Sequence, residues 1–116
     1  MKIVDLDHVP KTKVDMEGAM NTYKQTPISK KDGSPLFSFR VFTIEPQGHT
    51  PYHSHPFEHL NYVISGHGAL IDEHRKENKI KQGDFALVLA DETHQYRNDS
   101  EDEALVVICA VQKDYE

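Results

Sequence analysis

The sequence lacks most of what would tie it to a membrane, a nucleic acid or a disulfide framework. It has one cysteine, Cys109, among 116 residues, so no intrachain disulfide can form and a reducing compartment fits. It has no cluster of Lys and Arg. The nearest approach, His74-Arg75-Lys76, runs at once into Glu77, and the formal net charge is −6. Phosphate binding needs several cations on one face, so nucleic acid is not expected as a partner. No apolar run approaches the ~20 residues of a bilayer span. The start, Met1-Lys2-Ile3-Val4-Asp5-Leu6-Asp7, is too charged for the apolar core of a signal peptide. These absences predict a cytoplasmic protein with no membrane contact. The chain also lacks an internal repeat, a low-complexity tract and a convincing helical period after residue 35.

What is present is short and strand-like. With 37% hydrophobic and 28% charged residues, the composition is that of one ordinary globular domain. Ile3 to Leu6 is expected as a short edge strand, and Val14 to Tyr23 as a loop with one helical turn, broken at Gly18. Lys30 to Pro35 reads as a turn. From Leu36 the texture changes to runs rich in Phe, Val, Ile and Thr. Strands are predicted over 36–44, 59–65, 69–73, 85–89, 93–98 and 105–111, with Pro51 to His55 extended and a further pairing beginning near Lys79-Ile80. Glu45-Pro46-Gln47-Gly48, Gly66-His67-Gly68 and Lys81-Gln82-Gly83-Asp84 read as turns. Many short strands with frequent turns make an all-β antiparallel sandwich or barrel. The expected organisation is an N-terminal arm (1–35) packed on the barrel edge, a barrel (36–111) and a short tail (112–116).

The chemistry concentrates in His53-Ser54-His55-Pro56-Phe57-Glu58-His59, with His94 downstream. Strand side chains alternate faces, so His53 and His55 point to one side. A turn at Pro56-Phe57 returns His59 to the same cavity, where Asn61 and Val63 share its parity. His94 arrives from a later strand with Tyr96 and Asn98. Four imidazoles on rigid elements predict a site for one transition metal, and imidazole suits Zn, Cu, Fe and Ni. Four neutral ligands leave the ion's charge uncompensated, which favours an anionic substrate. His8, His67 and His74 are expected in solvent, and His49 in solvent with the cavity rim as the alternative. Glu58, Asn61 and Gln95 are candidates to hold the second ring nitrogens. Cys109 is expected as a small buried hydrophobe, with a place beside the metal as the alternative. Arg40 is as well placed outward as inward, where it would suit a carboxylate. Phe37, Phe39 and Phe42 are expected in the core.

These residues resemble the cupin superfamily. The first cupin motif, from a glycine through His-x-His to a closing glycine, is similar to Gly48, His53-Ser54-His55-Pro56 and Gly66. The second, from Gly-Asp to a histidine and an asparagine, is similar to Gly83-Asp84, His94 and Asn98. The resemblance covers residues 36 to 111. It implies a jelly-roll, or double-stranded β-helix, and a ligand set of His53, His55, His59 and His94. His59 stands where the family more often has glutamate. Leu89 and Asp91 replace the second motif's Pro and Gly, and the Gly48-to-His53 spacing is one residue short.

The resemblance further implies a small single-domain tetrahistidine cupin, one divalent metal (Mn, Ni, Fe or Zn) and a homodimer. The expected function is a metal-dependent oxidoreductase of dioxygenase type on a small organic acid or enol-like substrate. The alternatives are a non-catalytic binding or sensing barrel with a structural ion, and a metal-free isomerase or epimerase. Beyond the metal ligands the sequence assigns no catalytic residue.

Overall fold

The computed structural model describes residues 1–116 and contains nine strands and three short 3-10 turns. The strands are β1 (Thr12–Lys13), β2 (Met20–Ile28), β3 (Phe37–His49), β4 (His59–Ser65), β5 (His67–Ile71), β6 (Glu77–Lys81), β7 (Phe85–Val88), β8 (Gln95–Arg97) and β9 (Leu105–Gln112). All pairings are antiparallel. The order β6-β5-β8-β3-β9-β4-β7, with β2 and β1 added beside β3, rolls the sheet into a jelly-roll barrel. No helix is long and apolar enough to cross a membrane.

β9 shows why the sequence folds this way. Leu105, Val107, Cys109 and Val111 alternate inward and are buried, while Val106, Ile108 and Ala110 are half-buried on the outer face. A strand apolar on both faces belongs in the middle of a sheet, and β9 lies between β3 and β4. Inward residues of several strands then meet. Ile44, Val63, Tyr96, Leu105 and Val107 form one buried cluster, with Leu70 and Ile80 packed against it. This cluster closes one end of the barrel and leaves the other end to the histidines.

The motif residues Gly66, Gly83, Asp84 and Asn98 are structural clamps. Gly83 donates its N–H to Val63 O at 2.9 Å, and Asp84 O accepts from Val63 N at 3.0 Å. The Asp84 carboxylate takes Lys81 N at 2.8 Å, which fixes the turn into β7. Gly66 is required by its own geometry. It lies at φ +81°, and an added Cβ would stand 2.1 Å from Ala104 O, so no other residue fits. Asn98 is fully buried. Its amide donates to Ile44 O and Glu103 O, both at 2.8 Å, and its oxygen accepts from Ser100 N at 3.0 Å.

Four expectations are corrected. Ile3 to Leu6 is not a strand, since Leu6–His8 forms a 3-10 turn capped by Asp5. Met20 to Tyr23 is strand rather than loop or helical turn, because pairing with β3 overrides local propensity. Glu45 to Gly48 does not end its strand: β3 continues through it to His49. It does so by a bulge, with Gln47 at φ 66° and the β2 register jumping between Met20 and Thr22. Phe37 and Phe39 are exposed on the outer face and are not core.

Asn98→Ala tests the polar clamp. It strips two buried carbonyls of their donor and should cost about 2–4 kcal/mol of unfolding free energy in urea denaturation. A loss under about 0.5 kcal/mol would show that these carbonyls find other partners.

Candidate metal centre

The structure brings all four predicted imidazoles to the open end of the barrel. His53 and His94 face each other across a two-way backbone bridge, His53 N to His94 O at 3.1 Å and His94 N to His53 O at 2.9 Å. His55 follows on the extended segment, and His59 opens β4. The ligand atoms of His53, His55 and His94 lie within 4.8 Å of one another. His59 Nε2 is 3.2 Å from His94 Nε2, and the His59 ring centroid is 5.1 Å from that of His55.

Three of the rings have their second nitrogen fixed by an oxygen that can only accept. His55 Nδ1 donates to Phe57 O at 2.8 Å and His94 Nδ1 to Glu92 O at 2.8 Å. His59 Nδ1 donates to Asn61 Oδ1 at 2.7 Å. The Asn61 amide is itself oriented by donating from Nδ2 to Ile108 O at 3.2 Å. Each bond places the ring proton on Nδ1 and leaves Nε2 bare. His53 has no such partner. Of the three residues expected to hold second nitrogens, only Asn61 does so. Gln95 donates to Thr50 O at 2.9 Å and contacts His49, and Glu58 is exposed.

Burial keeps the four rings neutral. It is the main cause that lowers His59 to about 3, with His94 next. Burial also lowers His94, to about 4, against the bond to Glu92 O. His53 and His55 are shifted the same way, first by burial. At neutral pH the bare Nε2 atoms of His59 and His94 therefore face each other at 3.2 Å with no proton between them. Two lone pairs at that distance call for a cation, and a cluster of imidazole nitrogens suits a divalent transition metal.

The rings open into a cavity of about 360 Å³. Its floor is the top of the core, through Ile44, Tyr96 and Val107, and Phe42 adds to its wall. Sequence parity indicated Asn61 and Tyr96. Other lining residues went unrecognised or were placed elsewhere. Val14 and Met16 reach the cavity from the N-terminal arm, whose irregular backbone has no period to read. Phe57 stacks on His55 with centroids 3.9 Å apart, and Tyr115 stacks on Phe57 at 4.1 Å. Arg40 and Cys109 both face inward, with Arg40 Nη2 donating to Cys109 Sγ at 3.0 Å. Cys109 is thus buried, as expected, but is a cavity residue. His8, His67 and His74 are exposed, and His49 does not line the cavity.

Depressed imidazole pKa values make the metal-free fold acid-sensitive. Between about pH 6.5 and about pH 4 the unfolded chain binds protons that folded His59 and His94 refuse. Stability therefore falls as pH drops through that window. The Tm of chelator-stripped protein should decline from pH 7 to pH 4.5, and a His59→Gln/His94→Gln double variant should flatten the slope. An unchanged slope in the double variant would refute the assignment.

The fold recurs widely. A polyketide cyclase, RemF, from Streptomyces resistomycificus superposes with TM-score 0.91 at 25% identity, over 97% of this chain and 79% of that one. A predicted oxalate decarboxylase from Thermotoga maritima gives TM-score 0.83 at 20% identity, over 97% and 99%. Ectoine synthase from P. lautus gives 0.75 at 19% identity, over 97% and 78%. No curated protein matches the chain by sequence. Residues 40–111 match the family profile described as the cupin domain. With the barrel, its motif glycines Gly48, Gly66 and Gly83 and its histidine-lined mouth, the chain belongs to the cupin family.

Proposed function

We propose that this protein is a metal-dependent enzyme acting on a small enolisable or acidic organic molecule, with His53, His55, His59 and His94 holding one divalent transition metal. The observation that carries the reading is the pair of bare Nε2 atoms at 3.2 Å, each backed by an Nδ1–H bond to a fixed oxygen. A divalent ion held there would supply Lewis acidity toward a carboxylate or enolate oxygen, at a charge undiminished by any anionic ligand. The chain's own residues orient the ligand rings and shape an apolar wall, and Phe57, backed by Tyr115, stacks on the His55 ring. A purely structural ion needs no cavity, whereas here about 360 Å³ opens directly onto the imidazoles. That space lies at the lower end of small-molecule sites, which span roughly 300–1,000 Å³.

Oxidative chemistry with dioxygen is the leading reaction type, as expected for metal-binding cupins of this size. A non-oxidative, cyclase-like reaction is the second reading, favoured by the likeness to RemF at TM-score 0.91 and 25% identity. Elemental analysis of protein purified without added metal should find about one ion per chain. His55→Ala should lose it, and Asn61→Leu should weaken metal binding by about 10–100-fold. Full metal content in His55→Ala would overturn the site. Oxygen uptake with acetylacetone as probe should follow metal content. No uptake by the loaded protein would remove the oxidative reading and leave the cyclase-like one.

We also propose a homodimer built on the outer face of the barrel. Phe39, Ala110, Leu60 and Leu87 form one row across β3, β9, β4 and β7. Phe39, Leu60 and Leu87 are exposed, and so is neighbouring Phe85 at 81%. A contiguous apolar row of this kind marks an association surface. Light scattering should give twice the chain mass for the wild type and the single mass for Leu60→Lys/Leu87→Lys. A monomeric wild type at micromolar concentration would reject the dimer.

A further inference from the structure

Apart from the four imidazoles and the exposed Ser54, most of the cavity's polar side chains are used within the protein. Thr22 Oγ1 donates to Met20 O or His49 O, at 2.9 and 3.0 Å. Thr50 Oγ1 accepts from Tyr96 N at 2.9 Å. Asn61 is committed to His59 and Ile108. Two buried polar atoms are left without any partner, Arg40 Nε and Tyr96 Oη. Both residues line the cavity, and Tyr96 is only 6% exposed. Arg40 is held from its other nitrogens, Nη2 by Cys109 Sγ at 3.0 Å and Nη1 by Tyr115 O at 3.4 Å. Its guanidinium also lies 5.1 Å from the Phe42 ring centroid.

The charge is as unbalanced as the hydrogen bonding. A guanidinium does not deprotonate in proteins, yet Arg40 forms none of the ion pairs present. No Asp or Glu lines the cavity. In a chain of net charge −6, the mouth of the barrel therefore carries an unpaired cation. A shielded charge without a counter-ion is costly, and a buried donor without an acceptor adds to that cost.

We propose that Arg40 and Tyr96 form the substrate-recognition subsite of this cavity, selecting an organic monoanion, a carboxylate or enolate on an apolar skeleton. This rests on the reading of the cavity as a substrate site and names the substrate class. The anionic oxygens receive the Arg40 Nε–H and the Tyr96 hydroxyl, and the hydrocarbon body lies against Phe42, Ile44 and Val107. A cationic substrate would meet like charge. A polyhydroxylated sugar would find too few free partners for its hydroxyls, because Thr22, Thr50 and Asn61 are already engaged.

The test is calorimetric binding of 2-naphthoate and of its neutral isostere 2-naphthamide, to metal-loaded and to chelator-stripped protein. The acid should bind about tenfold or more tightly than the amide in both forms, a charge-assisted preference. Arg40→Met should abolish that preference while melting temperature and metal uptake stay those of the wild type. Arg40→Lys, which keeps the charge, should recover part of it. Tyr96→Phe should weaken the acid several-fold. Equal binding of acid and amide, no binding of either, or a full preference in both Arg40 variants would overturn the subsite. The two readings fail separately. An Arg40-dependent preference in protein that takes up no metal would sink only the metal centre. Normal metal uptake with acid and amide bound alike would sink only the subsite.

Discussion

The 3.2 Å approach of two unprotonated imidazole nitrogens, His59 Nε2 and His94 Nε2, is the constraint around which the rest of the molecule is arranged. Left alone, two such rings would rotate apart or share a proton. Neither escape is open. The Nδ1–H bonds to Asn61 Oδ1 and Glu92 O hold each ring in place, and burial removes the water that would solvate an imidazolium. The protein therefore carries, in its fold, an unfavourable juxtaposition that binding a cation would relieve. Preorganisation of this kind raises metal affinity, because the ordering of the rings is already complete.

The barrel makes that arrangement possible by separating two jobs along its axis. One end is filled by Ile44, Val63, Tyr96, Leu105 and Val107. That cluster supplies the burial energy a domain of this size needs. The other end carries the polar groups, where His55 and His94 are fastened to backbone carbonyls and His59 to Asn61, which is itself bonded to Ile108 O. The two-way bridge between His53 and His94 ties the first-motif segment to the second, although the two lie 41 positions apart in the sequence. Asn98, Gly66 and the Gly83-Asp84 turn do not touch the centre. They hold the registers that bring β4 and β8 to it.

Period-two alternation made most of this legible in advance. His59, Asn61 and Val63 share a parity and face inward, as do His94, Tyr96 and Asn98, and all six are buried. Where alternation failed, a second force was at work. β3 alternates cleanly, but both of its faces carry large apolar groups, so parity alone could not say whether Arg40 or Phe39 pointed inward. The inward face takes Arg40, Phe42 and Ile44, and the outward one leaves Phe37 and Phe39 exposed. The arm that brings Val14 and Met16 to the cavity has no period. The stack of Tyr115 on Phe57 joins residues 58 positions apart through a turn and a tail, which no local pattern encodes.

Charge, more than any single side chain, links the centre to its cavity. A glutamate at the position of His59 would lower the local charge by one unit and give Arg40 a nearby anion. With His59 there, the ligand set is neutral, no Asp or Glu lines the cavity, and Arg40 stays unpaired. A divalent ion held by the four rings would add its full charge to that of the guanidinium, in a cavity that Phe57 lines. Electrostatic interactions strengthen as the local dielectric falls, so both cations would act on an entering molecule more strongly than either would at an open surface. Since the chain as a whole is acidic, long-range attraction does not bring an anion to this site. Selection of the proposed anion would therefore happen at close range, inside the cavity, where Arg40 and the four rings are the only charged or chargeable neighbours apart from the Cys109 thiol and the Tyr96 phenol.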